Sequence, residues 1–132
     1  ELLARGYRVT AIDRAPMDPR LAGASGLVAV HGDVVGFTPP PGVGYQALLC
    51  DLNGGAREAM RQVCRLLPAL APDGLVVFTL KTTGVVGVAA IGELAGAVHD
   101  LATGAGLRLL AESHLTYNRQ EFTWFLRKPG RH

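Results

Sequence analysis

The sequence predicts an α/β fold, an open and mainly parallel sheet covered on both faces that finishes in an antiparallel pair of strands. Three observations carry that expectation. Apolar β-rich runs alternate with helical patterns. Charged residues stand at or just beyond the ends of those runs, at Asp13, Asp33, Asp51 and Lys81. The last two β-rich runs follow one another with no helix between them. Alternation of this kind belongs to layered α/β domains, and terminal strands without a crossover pair antiparallel. The 132 residues, 48% hydrophobic and 18% charged, suffice for one core and are too apolar for a disordered chain, so one domain over 1–132 is expected.

The chain opens on Glu1-Leu2-Leu3-Ala4-Arg5-Gly6, which reads as the last turn and a half of a helix stopped by glycine. Tyr7 to Asp13 is β-rich and follows that stop, the pattern of a buried parallel strand. Pro16, Asp18 and Pro19 punctuate a loop, and a short helix runs to about Ala22 before Gly23 and Gly26 break it. Leu27 to His31 is the second strand. Thr38-Pro39-Pro40-Pro41-Gly42 is a loop, because three successive prolines remove backbone donors. Gln46 to Asp51 is the third strand. From Ala56 to about Leu70, apolar Ala59, Met60, Val63, Leu66, Leu67 and Leu70 make one helical stripe opposite Arg57, Arg61 and Arg65. Pro72-Asp73-Gly74 is a turn, Leu75 to Leu80 a buried strand ending at Lys81, and Val88 to Thr103 a glycine-weakened helix. Leu107 to Thr116 and Glu121 to Arg127 form a hairpin through Tyr117-Asn118-Arg119-Gln120.

Composition also excludes function classes. Thirteen basic against eleven acidic residues leave a formal charge of +2, too balanced for nonspecific nucleic-acid attraction to be the whole function. Cys50 and Cys64 lie inside apolar runs, which fits neither a disulfide framework nor a zinc knuckle and points to a reducing, cytoplasmic setting. His31, His99, His114 and His132 are scattered, so no metal is expected. The most apolar stretch, Val85 to Val98, carries Glu93 and three glycines and falls short of the roughly 20 residues of a membrane span. No basic segment followed by an apolar core opens the chain, so no secretory signal is expected.

Ligands of open α/β sheets bind beyond the carboxyl ends of the strands. Asp13 stands where such folds place an acid against ribose hydroxyls; it also suits a simple turn cap. Asp33 suits acceptance from an adenine amino group, or an Asx turn. Asp51, with Asn53, could cap the following helix, and Lys81 could extend to solvent. Phe122 and Trp124 alternate along one strand face, which favours core packing over stacking on RNA by Tyr117, Arg119, Phe122 and Trp124. Arg127, Lys128 and Arg131 form a basic tail, read as a solvated terminus.

The wording around these residues adds to the pattern. Asp13-Arg14-Ala15-Pro16-Met17-Asp18-Pro19, then Gly32-Asp33, Cys50-Asp51-Leu52, Leu80-Lys81 and Asn118-Arg119-Gln120-Glu121 together resemble the FtsJ-like family of S-adenosylmethionine-dependent 2′-O-ribose RNA methyltransferases. The resemblance runs from Glu1 to Arg127. It implies a Rossmann-like methyltransferase sheet, with Asp13 on the ribose of S-adenosylmethionine and Asp33 on its adenine side. It also implies a Lys-Asp-Lys-Glu tetrad in which Asp51 is the Asp, also near the cofactor, Lys81 the second Lys and Glu121 the Glu. The tetrad's first Lys, the first strand and the glycine-rich loop have no counterpart here; Gly23, Gly26, Gly54 and Gly55 stand in the wrong order to replace that loop. The chain is accordingly expected to be a C-terminal fragment with little or no activity alone.

The chemistry suits these residue types. A ribose hydroxyl is a poor nucleophile until its proton is taken or polarised, whereas a sulfonium methyl is already activated. A lysine can serve as the base when burial lowers its basicity, and neighbouring carboxylates orient it while opposing that shift. RNA, in particular ribosomal RNA, is the expected partner. Two other readings stay open: a catalytically silent RNA- or protein-binding remnant of the fold, and a nicotinamide-dependent oxidoreductase in which Asp13 would meet a dinucleotide ribose. The second of these leaves Lys81, Glu121 and the terminal hairpin without a role.

Overall fold

A computed structural model describes residues 1–21, 23–52, 54–114 and 121–130. The chain divides into two compact units, Glu1–Thr38 and Pro39–His132.

In the first unit a 3-10 turn, Leu3–Arg5, is closed by Gly6, whose left-handed φ of 86° lets its N–H reach the Leu3 carbonyl. Strands β1 (Val9–Asp13) and β2 (Leu27–His31) then pair in parallel, Val9 opposite Leu27 and Asp13 opposite His31. Short 3-10 turns at Pro19–Leu21 and Val34–Gly36 follow each strand. The sequence predicts a buried strand at Tyr7 to Asp13, but no described residue of this unit is fully buried, and Val28 of β2 is 59% exposed. A two-stranded pair flanked only by 3-10 turns has no helical layer of its own to cover its faces.

The second unit holds strand β3 (Tyr45–Cys50), helix α1 (Ala56–Leu66), strand β4 (Leu70–Lys81), helix α2 (Val88–Gly104), and strands β5 (Arg108–Ser113) and β6 (Glu121–Arg127). The strands form one sheet in the order β3-β4-β6-β5. β3 and β4 run parallel, while β6 is antiparallel to both β4 and β5. The core lies on one face of this sheet. Val76, Phe78 and Leu80 alternate inward from β4, and Trp124 and Leu126 do so from β6. Met60 and Val63 of α1 and Val98 and Ala102 of α2 complete it. Phe78 and Trp124, directly opposite in the ladder, hold ring centroids 6.2 Å apart. Phe122 and Trp124 thus belong to the core side, as their alternation predicts, and His99 packs edge-on to Trp124.

The alternating α/β class, the parallel strands and the antiparallel terminal pair agree with the sequence reading. Several particulars differ. The strands fall into two sheets rather than one. β6 lies between β4 and β5, so the terminal pair is not appended at an edge by its last strand. Helix α1 stops at Leu66 and gives way to a 3-10 turn, Leu67–Ala69, because Pro68 has no N–H to continue the helical ladder. The predicted turn at Pro72-Asp73-Gly74 lies inside β4 as an irregularity, with Tyr45 opposite Leu70 and Ala47 already opposite Leu75. Asp73 takes a positive φ of 62° there, and a Cβ on Gly74 would fall 2.5 Å from the Leu70 side chain, so glycine is required. The connection from Leu115 to Gln120 lies outside the described residues.

Lys128 also departs from the solvated-terminus reading; Arg131 lies outside the described residues. The Lys128 ammonium donates to the carbonyls of Leu67 at 2.8 Å and Leu70 at 2.7 Å, and its backbone N–H donates to Gly74. The Leu67 carbonyl, which also accepts from the Leu70 N–H, and the Leu70 carbonyl lie where the 3-10 turn gives way to β4, so the ammonium ties the end of β6 to that junction. Lys128→Met is expected to cost about 2 kcal/mol, the range for hydrogen bonds to a charged group, read as a lower urea midpoint at unchanged m-value.

Candidate active site

The parallel pair β3–β4 brings two strand ends to the same edge of the sheet, since Cys50, the last residue of β3, lies opposite Phe78. Asp51 follows β3 and Lys81 closes β4. The Lys81 Nζ stands 2.8 Å from Oδ1 of Asp51; the lysine side chain is only 15% exposed, the aspartate 76%. Antiparallel pairing puts Glu121, the first residue of β6, directly opposite Lys81. Residues directly opposite in such a ladder share a face with Cβ atoms about 5 Å apart. A shielded ammonium is therefore flanked by an ion-paired carboxylate from one neighbouring strand end and a carboxylate-bearing residue from the other.

Local structure explains why Asp51 is available for this pair. The N-cap of α1 is Gly55, not Asp51, so the capping alternative is not realised. Nor is the solvent-extended alternative for Lys81. Cys50, beside Asp51, is buried, and burial pushes its thiol up from the usual range, which keeps it protonated and unreactive. Asn53 lies outside the described residues.

Asp13 and Asp33 belong to the first unit, at the ends of β1 and β2. Asp13 is exposed, and its Oδ1 accepts from the Ala15 N–H at 2.9 Å. Asp33 caps the 3-10 turn Val34–Gly36, accepting from Val35 N–H at 3.0 Å, and pairs with Arg14. The Val35 bond, then the Arg14 guanidinium, hold its carboxyl below the ordinary carboxylate range. Because the folded value is the lowered one, this cap is fully formed above the ordinary carboxylate pKa and weakens as pH falls through the lowered value. Both acids thus take the turn-forming roles weighed against ligand binding, in positions at the strand ends that leave them partly exposed.

Two residues beside these positions carry no role in the sequence reading. Thr82, directly after Lys81, is 3% exposed, and Arg14 bridges from the end of β1 to Asp33. The available signals were a polar residue closing an apolar run and a cation beside one acid and one strand away from another. Among the described residues no group of His, Cys, Asp and Glu is arranged to hold a metal ion, and no helix is long and apolar enough to cross a membrane.

No family model matches the chain, and no curated protein matches it in sequence. Solved structures do match it in fold. A Burkholderia thailandensis 1,6-didemethyltoxoflavin-N1-methyltransferase, with bound 1,6-didemethyltoxoflavin and S-adenosylhomocysteine, superposes with a TM-score of 0.68 and 18% identity, over 96% of this chain and 64% of that one. Aeropyrum pernix fibrillarin with natively bound S-adenosyl-L-methionine gives 0.62 and 15%, over 90% and 55%. The Methanococcus jannaschii fibrillarin pre-rRNA processing protein gives 0.66 and 12%, over 92% and 56%. The chain spans about half to two-thirds of the length of these three structures. The chain shares the Rossmann-like fold of these structures.

Proposed function

We propose that this chain is the catalytic part of an S-adenosylmethionine-dependent methyltransferase that modifies a ribose 2′-hydroxyl of RNA. The observation that carries the reading is the Lys81–Asp51 ion pair at the ends of two parallel strands, with Glu121 opposite the lysine. Within the FtsJ-like family the chain looks most like RlmM, the bacterial enzyme that methylates a cytidine ribose in large-subunit ribosomal RNA. That likeness makes ribosomal RNA the favoured substrate and the cytoplasm the expected location. The fibrillarin described as a pre-rRNA processing protein supports an RNA substrate on the same fold. Because the chain spans only part of its neighbours' length, the activity is proposed for the whole protein to which it belongs.

The exposed carboxylate of Asp13 fits a cofactor ribose, since it can accept from two vicinal hydroxyls, and Asp33 fits the adenine amino group. When bound, S-adenosylmethionine supplies a methyl group on a positively charged sulfur, which needs no further activation. Lys81, once it has given up a proton to solvent and stands as the neutral amine, would accept the proton that the 2′-hydroxyl releases. Asp51 holds the lysine at the strand end, and Glu121 completes the polar surroundings of the ammonium. The low exposure of the Lys81 side chain limits competition from water for the same proton.

Calorimetric titration of the complete protein with S-adenosylhomocysteine tests the cofactor site. Asp13→Ala is expected to weaken binding about tenfold or more, the scale of losing charge-assisted hydrogen bonds to two hydroxyls. Absence of binding by the complete, folded protein would overturn the enzyme reading in favour of a silent binding module. Preference for a nicotinamide dinucleotide would favour the oxidoreductase.

A further inference from the structure

Arg14 is the side chain at the end of the β1–β2 pair that the proposed function leaves without a task. It follows Asp13 directly, and its Nη2 pairs with Oδ2 of Asp33. Its backbone is pinned separately, since His31 Nε2 lies 2.7 Å from the Arg14 carbonyl and an N–H there must donate to it. The second oxygen of Asp33 accepts from the Val35 N–H at 3.0 Å. Each oxygen of this carboxylate therefore already receives a donor, one from the backbone and one from a guanidinium.

The two donors are not equally easy to give up. The Val35 bond caps the 3-10 turn that positions Asp33, so losing it would displace the acid itself. The Arg14 bond joins side chains that are 79% and 43% exposed, so water solvates the guanidinium as soon as it leaves. We propose that Arg14 is a further residue of the nucleoside end of the site, a guard that covers the Asp33 acceptor and is exchanged for the adenine amino group when the adenosine part of the cofactor binds. The inference rests on the reading of Asp33 as the adenine acceptor. Its size follows from exposure: a solvated ion pair is weak and screened by salt, so the guard sets affinity within a few-fold.

The test uses 5′-methylthioadenosine, the uncharged nucleoside end of the cofactor, titrated into the complete protein and its Arg14→Ala variant at low and moderate salt. In the unaltered protein, binding is expected to tighten as salt screens the ion pair. Arg14→Ala is expected to bind about two- to fivefold tighter at low salt and to lose most of that salt dependence. Unchanged or weaker binding by the variant, beside measurable binding by the unaltered protein, would overturn the guard and leave the cofactor reading standing. No uptake of the nucleoside by either protein would overturn both. An unchanged melting temperature of the variant, expected for so exposed a pair, ties any change in affinity to the site.

Discussion

Replacing Lys81 with methionine in the complete protein is expected to lower methyl transfer to RNA by about 10²- to 10⁴-fold, the range lost when a positioned general base is removed. S-adenosylhomocysteine affinity and melting temperature should stay close to those of the unaltered protein, because Asp13 and Asp33, not Lys81, are assigned to the nucleoside. Methionine preserves most of the stem volume, so the sheet edge keeps its packing while the ammonium is lost. Lys81→Arg separates two roles: it retains positive charge but does not accept a proton at neutral pH. A proton-accepting Lys81 predicts that both variants are inactive. Substantial transfer by Lys81→Arg would reduce the lysine to an electrostatic role, and transfer by Lys81→Met would remove it from the reaction. The Asp51 ion pair predicts a milder defect for Asp51→Asn, since amide and carboxylate share a shape but not a charge.

The largest stability effect is expected at Phe78. Its side chain is fully buried, faces Trp124 across the ladder and lies on the strand that joins the parallel and antiparallel halves of the sheet. Phe78→Ala removes the buried ring and leaves a cavity in a close-packed face, a change that costs about 3–5 kcal/mol. Trp124 is the single tryptophan of the chain and lies in contact with the altered site, so its fluorescence reports urea unfolding directly. Val28→Ala is the control, since Val28 is 59% exposed and such surface changes stay within about 0.5 kcal/mol. A Phe78→Ala loss no larger than the control would contradict the core described above.

Much of the candidate site was legible because its residues sit where local patterns end. A β-rich run closed by an acid or a lysine states both a strand and the place where it leaves the sheet. Asp51 and Lys81 were readable in that way, and the helix after Gly55 could be read from the stripe of Ala59, Met60 and Val63. The pairing of Arg14 with Asp33 was not readable. Asp33 is brought near Arg14 by the parallel pairing of β1 and β2, and one-dimensional spacing does not express that ladder. Lys128 escaped for the same reason: a basic residue near the chain end looks solvated until the carbonyls of Leu67 and Leu70 are seen beneath it.

By itself the sequence determined the α/β class, most element positions and the charged residues at the strand ends. Each of these depends on backbone propensity, on breakers such as Gly6, or on apolar periodicity over a few residues. Tertiary structure decided which strands became neighbours. A bare hairpin accounts for β5 beside β6 but not for β6 beside β4, and it is this second ladder that sets Glu121 opposite Lys81. The placement follows from non-local burial, with Phe78 against Trp124 and Val76 against Leu126, so residues far apart in sequence fix the register together.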